Sequence, residues 1–252
     1  MKKFCWAFFS IFAAGVLLFG CKGSDGPTGA QGPAGPVLHG NLYGRVYLEN
    51  EDHSRVTYIS GVSVTVEGTA IAAVPDTNGN FVLKNVATGT WTVTAVKTGY
   101  GTSKQTNLQF VGGGDASMGN IWMEQMPSFD IQSLNPITTT TTTATISGTI
   151  TNSVPYYRYV MVIFGKTSPV MSDPKSWTIS YSGYIASSSN SFTVGIDTFS
   201  LRNGGFNSRD TVHVTVYSTG GNFDSGYYDV MTDNWVYTAI GANPKSSYFI
   251  RP

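Results

Sequence analysis

Apolar and polar residues alternate along much of the chain, with the period of two that is typical of strands with one buried face. The clearest runs are VSVTV at 62–66 and WTVTA at 91–95, in which serine or threonine separates the apolar positions. Phe81 and Leu83 alternate in the same way after the turn-forming segment DTNGN at 76–80, which predicts a hairpin turn. The pattern from 38 to about 124 therefore predicts a small antiparallel sandwich without helices.

A second set of alternating segments follows Pro127 and Pro136, which bracket a predicted linker. The segment ITTTTTTATISGTIT at 137–151 is rich in β-branched threonine and alternates from Ala144 to Ile150. Further strands are predicted at 157–164, 177–184, 191–196, 211–218 and 235–240. This spacing predicts a second β-sandwich of roughly a hundred residues.

The N-terminus departs from this pattern. Two lysines precede an almost wholly apolar run at 4–19, which is short for a membrane span and has the length and flanks of an export signal. Residues 18–21, LFGC, resemble the lipobox of bacterial lipoproteins. The resemblance implies cleavage after Gly20 and lipidation of Cys21. An ordinary signal peptide, or an uncleaved helix with an incidental cysteine, stays open as the alternative.

Glycine then recurs at every third position from Gly23 to Gly35, with Pro27, Pro33 and Pro36 beside it. This is the collagen pattern, but five triplets make a marginal triple helix. The segment is expected to act either as a polyproline-like spacer, holding the folded part roughly 40 Å from the lipid, or as the nucleus of a trimer.

Cysteine content and charge narrow the class of protein. The chain contains only Cys5, which would leave with the signal, and Cys21, so the mature chain would have no disulfide and would depend on packed sheets. Charged residues make up 12% of the chain and the formal net charge is zero. No basic patch indicates a nucleic-acid partner.

These patterns divide the chain into four segments. They are a lipoprotein signal peptide at 1–20, a lipidated cysteine with a collagen-like spacer at 21–37, and β-sandwiches at 38–126 and 127–252. The expected fold class is all-β, with two tandem β-sandwich domains.

The first sandwich segment resembles the carboxypeptidase regulatory-like domain, a transthyretin-like sandwich. The matching positions are Gly61, Val64, Asp76, Gly79, Phe81, Leu83, Val86, Gly89, Val93, Ala95, Gly99 and Tyr100. The resemblance implies structural roles for these residues, and it implies an accessory or binding module and not a catalyst. The second segment resembles fibronectin type III or similar immunoglobulin-like domains, although its strand VHVTVYS at 212–218 lacks the corner tyrosine of that class.

Residues with catalytic or ligating chemistry do not form a recognisable site. His39, His53 and His213 stand in no paired spacing, so no zinc site is expected. The segment 76–80 lacks the glycine position and distant glutamate of an EF-hand loop. The glycine-rich segment 112–119 lacks the ending of a phosphate loop and is expected to be a loop or bulge. No catalytic residue, cofactor or metal is predicted.

Aromatic residues near the C-terminus are the remaining candidates. Tyr227, Tyr228, Trp235 and Tyr237 are close in sequence, and Trp235 and Tyr237 would share one face of a regular strand. Exposed rings could stack on sugars or anchor a protein partner. The same residues could instead fill the core or form cross-strand pairs.

The sequence therefore favours a non-enzymatic, membrane-anchored surface lipoprotein that acts as a binding or scaffolding module. The alternatives are a carbohydrate-binding module that presents polysaccharide to partner enzymes, and a collagen-stalked trimeric adhesin. The expected location is the outer membrane or cell surface of a diderm bacterium. The expected partners are the membrane, through the lipid, and a polysaccharide or surface protein.

Overall fold

The computed structural model describes residues 35–252, except residues 169, 171, 174, 177 and 222–225. The lipobox, Cys21 and most of the collagen-like repeat therefore lie outside the described residues. Val37–Pro252 forms one unit by its internal contacts. No helix in the described part of the chain is long and apolar enough to cross a bilayer.

The first half of the chain builds two facing sheets around one apolar core. The strands are β1 (His39–Glu49), β2 (Ser63–Val66), β3 (Ala72–Ala73), β4 (Asn80–Ala87), β5 (Gly89–Val96), β6 (Ser103–Phe110) and β7 (Asp115–Glu124). One sheet has the order β4-β1-β7, in which β1 runs parallel to β7, and the other has the order β3-β2-β5-β6. The alternation that predicted β2 and β5 places Val64, Val66, Val93 and Ala95 in this core.

The segment 76–80 is a tight turn, but it joins the two sheets and is not the hairpin turn that was predicted. It connects β3 of one sheet to β4 of the other. The Asp76 carboxylate accepts hydrogen bonds from the backbone amides of Asn78 and Asn80, both at 2.9 Å. Gly79 has φ of 88°, and a Cβ there would lie 2.2 Å from the carbonyl oxygen of Val46. The turn therefore requires glycine at this position.

The second half of the chain forms another pair of sheets and a separate hairpin. The strands are β8 (Ile131–Leu134), β9 (Thr138–Thr139), β10 (Thr143–Ile150), β11 (Arg158–Gly165), β12 (Ile179–Ile185), β13 (Ser191–Asp197), β14 (Thr211–Thr219), β15 (Gly226–Asp229), β16 (Asn234–Tyr237) and β17 (Lys245–Ile250). Strands β13-β10-β8, with β9 on β10, face strands β12-β11-β14-β17, and β15 pairs with β16. The all-β fold class is confirmed. The domain boundaries and the fibronectin type III assignment stay predictions.

Several local predictions were wrong. The predicted linker after Pro127 contains β8, because Phe129 and Ile131 are buried in the second core. A six-residue helix, α1 (Thr198–Asn203), was not predicted, and Asp197 caps it by accepting a hydrogen bond from the Ser200 amide. The strand predicted at 235–240 begins one residue earlier, at residue 234, and ends at residue 237. The strand predicted at 177–184 begins at residue 179.

The glycine-rich segment 112–119 is only partly a loop. Strand β7 begins at Asp115, and its pairing with β1 shifts by one residue between Ser117 and Gly119. Gly119 has φ of 83°, a conformation that bulges commonly place on glycine. The predicted bulge is therefore present inside a strand, which continues to Trp122 and Glu124.

A buried carboxylate joins the two sandwiches. Glu51 is 3% exposed and accepts hydrogen bonds from the Ser128 amide at 3.2 Å, the Ser128 hydroxyl at 2.5 Å and the Tyr156 hydroxyl at 3.3 Å. Burial, with a further contribution from the Glu51 charge, raises the pKa of Tyr156. Arg158, 1% exposed, lies over the Phe129 ring at 4.3 Å and adds a nearby positive charge. The junction is therefore held by charge-assisted hydrogen bonds.

Candidate functional site

Strands β1 and β7 carry an outward face that sequence reasoning missed. Along β1 the residues Leu42, Val46 and Leu48 are buried, so the intervening side chains point away from the core. The parallel register aligns Tyr47 with Trp122 of β7. The two rings stack with centroids 4.5 Å apart and an interplanar angle of 18°, and Trp122 remains 43% exposed.

Two arginines lie over this aromatic pair. The guanidinium carbon of Arg45 is 4.8 Å from the centroid of the Tyr47 ring. The guanidinium carbon of Arg55 is 5.0 Å from the Trp122 ring and 5.9 Å from the Tyr47 ring. These are cation–π distances. Together with Thr57 and Asn78, the two arginines and Tyr47 line a hollow of ≈ 290 Å³, which we call the arginine hollow.

Trp122 also lines a second depression, which we call the hairpin cleft. Its volume is ≈ 380 Å³, within the range of small-ligand sites. Strand β6 contributes Lys104 and Thr106, strand β7 contributes Asn120 and Trp122, and the hairpin of β15 and β16 contributes the other wall. The residues of that wall are Gly226, Tyr227, Tyr228 and Val230.

The hairpin is fixed to the first sandwich through β6. The Thr106 hydroxyl donates a hydrogen bond of 3.1 Å to the carbonyl oxygen of Tyr228. Tyr228 is 46% exposed, and its hydroxyl donates to the carboxylate of Asp233. Tyr227 is half-buried. Both tyrosines of strand β15 therefore line the cleft.

Charges inside the hairpin cleft are balanced. The Lys104 ammonium lies 2.7 Å from the Glu67 carboxylate, and the Thr94 hydroxyl donates to the same oxygen at 2.6 Å. The hydrogen bond from Lys104 makes the largest contribution to lowering the pKa of Glu67, and the bond from Thr94 lowers it further. The Glu67 carboxylate in turn raises the pKa of Lys104. Burial raises the pKa of Tyr227, so its hydroxyl stays protonated at neutral pH and can donate to a ligand oxygen.

A third hollow extends the surface beyond the hairpin cleft. Its volume is ≈ 280 Å³, and it shares Thr106 and Val230 with the cleft. Trp91 and the exposed Met231 line its far side. The arginine hollow and the hairpin cleft have no lining residue in common, but Tyr47 of the hollow stacks on Trp122 of the cleft. We call the three neighbouring hollows the groove. A series of adjoining hollows with aromatic walls suits an extended ligand.

The aromatic residues predicted near the C-terminus divide between two environments. Tyr227 and Tyr228 line the hairpin cleft, whereas Trp235 and Tyr237 pack against a cluster on the second sandwich that includes Met161. Tyr237 is 7% exposed, and its hydroxyl lies 2.6 Å from that of Ser180. The structure thus brings Tyr227 and Tyr228 to the groove and the other two residues to the packing surface beneath the hairpin.

The residues that sequence reasoning missed are Tyr47, Trp122 and the two arginines. A local signal for one of them existed, because Trp122 stands between Ile121 and Met123, which are both buried. That alternation marks the tryptophan as outward-facing. Its partner Tyr47 is far away in sequence, and only the parallel pairing of β1 with β7 brings the rings together.

A second aromatic cluster lies where the two sandwiches meet. The ring of His53 stacks on Tyr157 with centroids 4.8 Å apart, and Tyr159 and Tyr184 surround the same ring of Tyr157 at 5.9 Å each. His213, by contrast, lies in β14 opposite Tyr248, as expected of a cross-strand residue. In the described part of the chain, no three metal-ligating side chains converge.

Comparison with known proteins gives limited similarities. No curated protein matches the chain. A chain of a type II cohesin–X-dockerin complex from Acetivibrio cellulolyticus is 26% identical, with 34% of this chain and 58% of that chain covered and a TM-score of 0.28. This chain therefore spans less than two thirds of the length of that relative.

Two solved structures align over more of the chain. A candidate carbohydrate binding protein from Bacteroides uniformis is 12% identical, with 84% and 100% of the two chains covered and a TM-score of 0.29. A DUF3823 family protein from Parabacteroides merdae is 14% identical, with 81% and 98% covered and a TM-score of 0.25. TM-scores of this size do not establish a common fold, so these proteins do not indicate what this chain binds.

A family model matches the first sandwich. Residues 43–124 match the carboxypeptidase regulatory-like domain, which confirms the resemblance that the turn and strand residues predicted. The matched range includes Tyr47 at one end and Trp122 at the other, so the aromatic pair is part of this domain. The chain therefore contains a carboxypeptidase regulatory-like domain in its first sandwich.

Proposed function

We propose that the chain is a non-enzymatic surface lipoprotein that binds polysaccharide along the groove of its first sandwich. The observation that carries this proposal is the exposed Trp122 ring, which lines the hairpin cleft and stacks on Tyr47, a residue of the arginine hollow. Flat aromatic rings at a solvent-exposed surface match the apolar faces of pyranose rings. Lipidation at Cys21 would hold this groove at the membrane surface.

The groove also contains the polar groups that sugar hydroxyls require. Asn120 supplies an amide, Tyr227 a protonated hydroxyl and Lys104 an ammonium group within the hairpin cleft. A few placed donors and acceptors beside aromatic walls are typical of small-molecule and sugar sites. Because two of the hollows share Thr106 and Val230 and the third is next to the stacked pair of Tyr47 and Trp122, several sugar residues of one chain could bind at once.

Affinity electrophoresis tests this proposal with the full chain in a mild non-ionic detergent. Native gels would contain neutral and acidic polysaccharides from plant, algal and animal sources. We expect at least one polysaccharide to retard the wild-type protein saturably, and Trp122→Ala to remove the retardation. Tyr248→Ala is the matched control, since Tyr248 is a 65% exposed ring on β17 of the other sandwich.

Retention of glycan binding by Trp122→Ala would assign the binding to another surface and overturn the proposed site. Absence of retardation by every polysaccharide would overturn the proposed function. The circular dichroism spectrum of Trp122→Ala must match that of the wild type, so that unfolding of the variant is not mistaken for loss of a ligand contact.

A further inference from the structure

The arginine hollow holds two positive charges for which the described residues provide no ion-pair partner. In the described residues, no carboxylate oxygen lies within 4.0 Å of the guanidinium of Arg45 or Arg55. Both groups nevertheless lie within 6 Å of one ring, that of Tyr47. Lys104 in the hairpin cleft differs, because Glu67 neutralises it. Of these three described cations, only the two in the arginine hollow lack an ion-pair partner.

The acidic residues nearest to this hollow are engaged elsewhere. The Asp76 carboxylate accepts the hydrogen bonds of its own turn, although the Arg45 charge contributes to lowering its pKa. The Glu49 carboxylate lies 3.2 Å from Nδ1 of His53. Glu124, two residues beyond Trp122, is half-buried and has an interaction of its own. In the described part of the chain, neither Asp76 nor Glu49 forms an ion pair within 4.0 Å with the two arginines, although Glu49 is opposite Arg55 in an isolated β-bridge.

The guanidinium groups are held in position with donors to spare. Nε of Arg45 donates a 2.8 Å hydrogen bond to the carbonyl oxygen of Asn78. For Arg55, the described residues provide ring contacts and no side-chain hydrogen bond. An arginine stacked on an aromatic ring keeps its edge N–H groups available for a bidentate contact with an oxyanion. Two such forks flank a hollow of ≈ 290 Å³.

We infer that the arginine hollow binds the carboxylate or sulfate group of an acidic polysaccharide whose chain continues past Trp122 into the hairpin cleft. This inference rests on the proposed function and specifies the class of ligand. The anion would replace the acidic partner that the two arginines lack, and Tyr47 with Trp122 would contact the ring that carries it. A neutral polysaccharide would leave both guanidinium groups solvated and would therefore bind less tightly.

Matched pairs of polysaccharides test the inference. Polygalacturonate, alginate and a sulfated galactan would each be compared with a neutral form, made by esterifying the carboxylates or removing the sulfates, using calorimetry on the full chain in detergent. We expect the wild type to bind at least one charged form about tenfold more tightly than its blocked form, as expected for charge-assisted hydrogen bonds. The uronate and sulfate polymers together identify which oxyanion is preferred.

The variants separate this inference from the proposed function. Arg45→Gln combined with Arg55→Gln is expected to abolish the difference within a pair, because it weakens binding of the charged form about tenfold more than binding of the blocked form. Trp122→Ala is expected to weaken binding of both forms. Arg202→Gln is the matched control, because Arg202 also lies over an exposed ring, with its guanidinium carbon 5.3 Å from the centroid of Phe199.

Equal binding of the charged and blocked forms by the wild type would overturn the inference and leave the proposed function standing. An unchanged preference in the double arginine variant would also overturn it. No binding to any of the six polysaccharides would overturn the inference, and only binding to some neutral polysaccharide would then preserve the proposed function.

Discussion

The indole ring of Trp122 lies on the ring of Tyr47, although the two residues belong to strands at opposite ends of the first sandwich sequence. Because both rings lie on the outward face, Trp122→Ala should lower the free energy of unfolding by only about 1 kcal/mol. Urea denaturation followed by fluorescence would measure this change. A loss above about 3 kcal/mol would show that Trp122 is a core residue and would contradict its assignment to the ligand surface.

Two glycines in the second sandwich should respond in opposite ways to the same substitution. A Cβ on Gly183 of β12 would lie 2.3 Å from a methyl of Val194 and 2.7 Å from one of Val160, so Gly183→Ala should destabilise by about 1–3 kcal/mol. A Cβ on Gly195 of β13 would meet only Thr143, at 3.6 Å. Gly195→Ala should therefore be neutral or slightly stabilising. Thermal unfolding of both variants checks the contrast, and equal melting temperatures would refute it.

The ion pair between Lys104 and Glu67 should make a small, pH-dependent contribution to stability. Its hydrogen bonds lower the pKa of Glu67, so the contribution is present above the ordinary carboxyl range and is lost as the pH falls through the lowered pKa. Both side chains are partly exposed, 32% and 43%, and the pair should contribute less than about 1 kcal/mol.

Glu67→Gln should therefore reduce the difference in unfolding free energy between pH 6.5 and pH 3, while it keeps an oxygen that can accept from Thr94. Urea titrations of both proteins at the two pH values measure this difference. The same pH dependence in variant and wild type would show that other carboxylates account for it.

The buried carboxylate of Glu51 should be the most sensitive single position at the junction of the two sandwiches. Glu51→Ala removes the acceptor of three hydrogen bonds and the negative charge nearest to Arg158, and should cost about 3 kcal/mol or more. Glu51→Gln keeps part of the hydrogen bonding and should cost less. Equilibrium unfolding in urea ranks the two variants, and a smaller effect for alanine than for glutamine would contradict this role.

The sequence predicts most strands of this protein because one face of each is buried. Val64, Val93 and Ala95 occupy alternate positions for that reason, and a period of two follows directly. The turn at 76–80 was also recognised, but its sheet partners were not, since a local pattern does not say whether the next strand joins the same sheet. Helix α1 has only six residues and cannot display a helical period.

The candidate site was harder to predict because it depends on contacts between distant strands. Tyr228 and Tyr237 have the same chemistry and are nine positions apart in sequence, yet one lines the groove and the other is buried beneath the hairpin. Their difference comes from the surfaces on which the hairpin packs. Likewise, the arginines could be assigned to a site only once their contacts with aromatic rings were known. The parallel register of β1 and β7 creates these contacts, because it brings Trp122 next to Tyr47 and under Arg55.

The hairpin of β15 and β16 has a mechanical consequence. It is pinned to the first sandwich by the hydrogen bond from Thr106 to Tyr228 and to the second by Tyr237 and its contact with Ser180. A force applied to the proposed ligand at this hairpin would therefore be transmitted to both sandwiches and not to one alone.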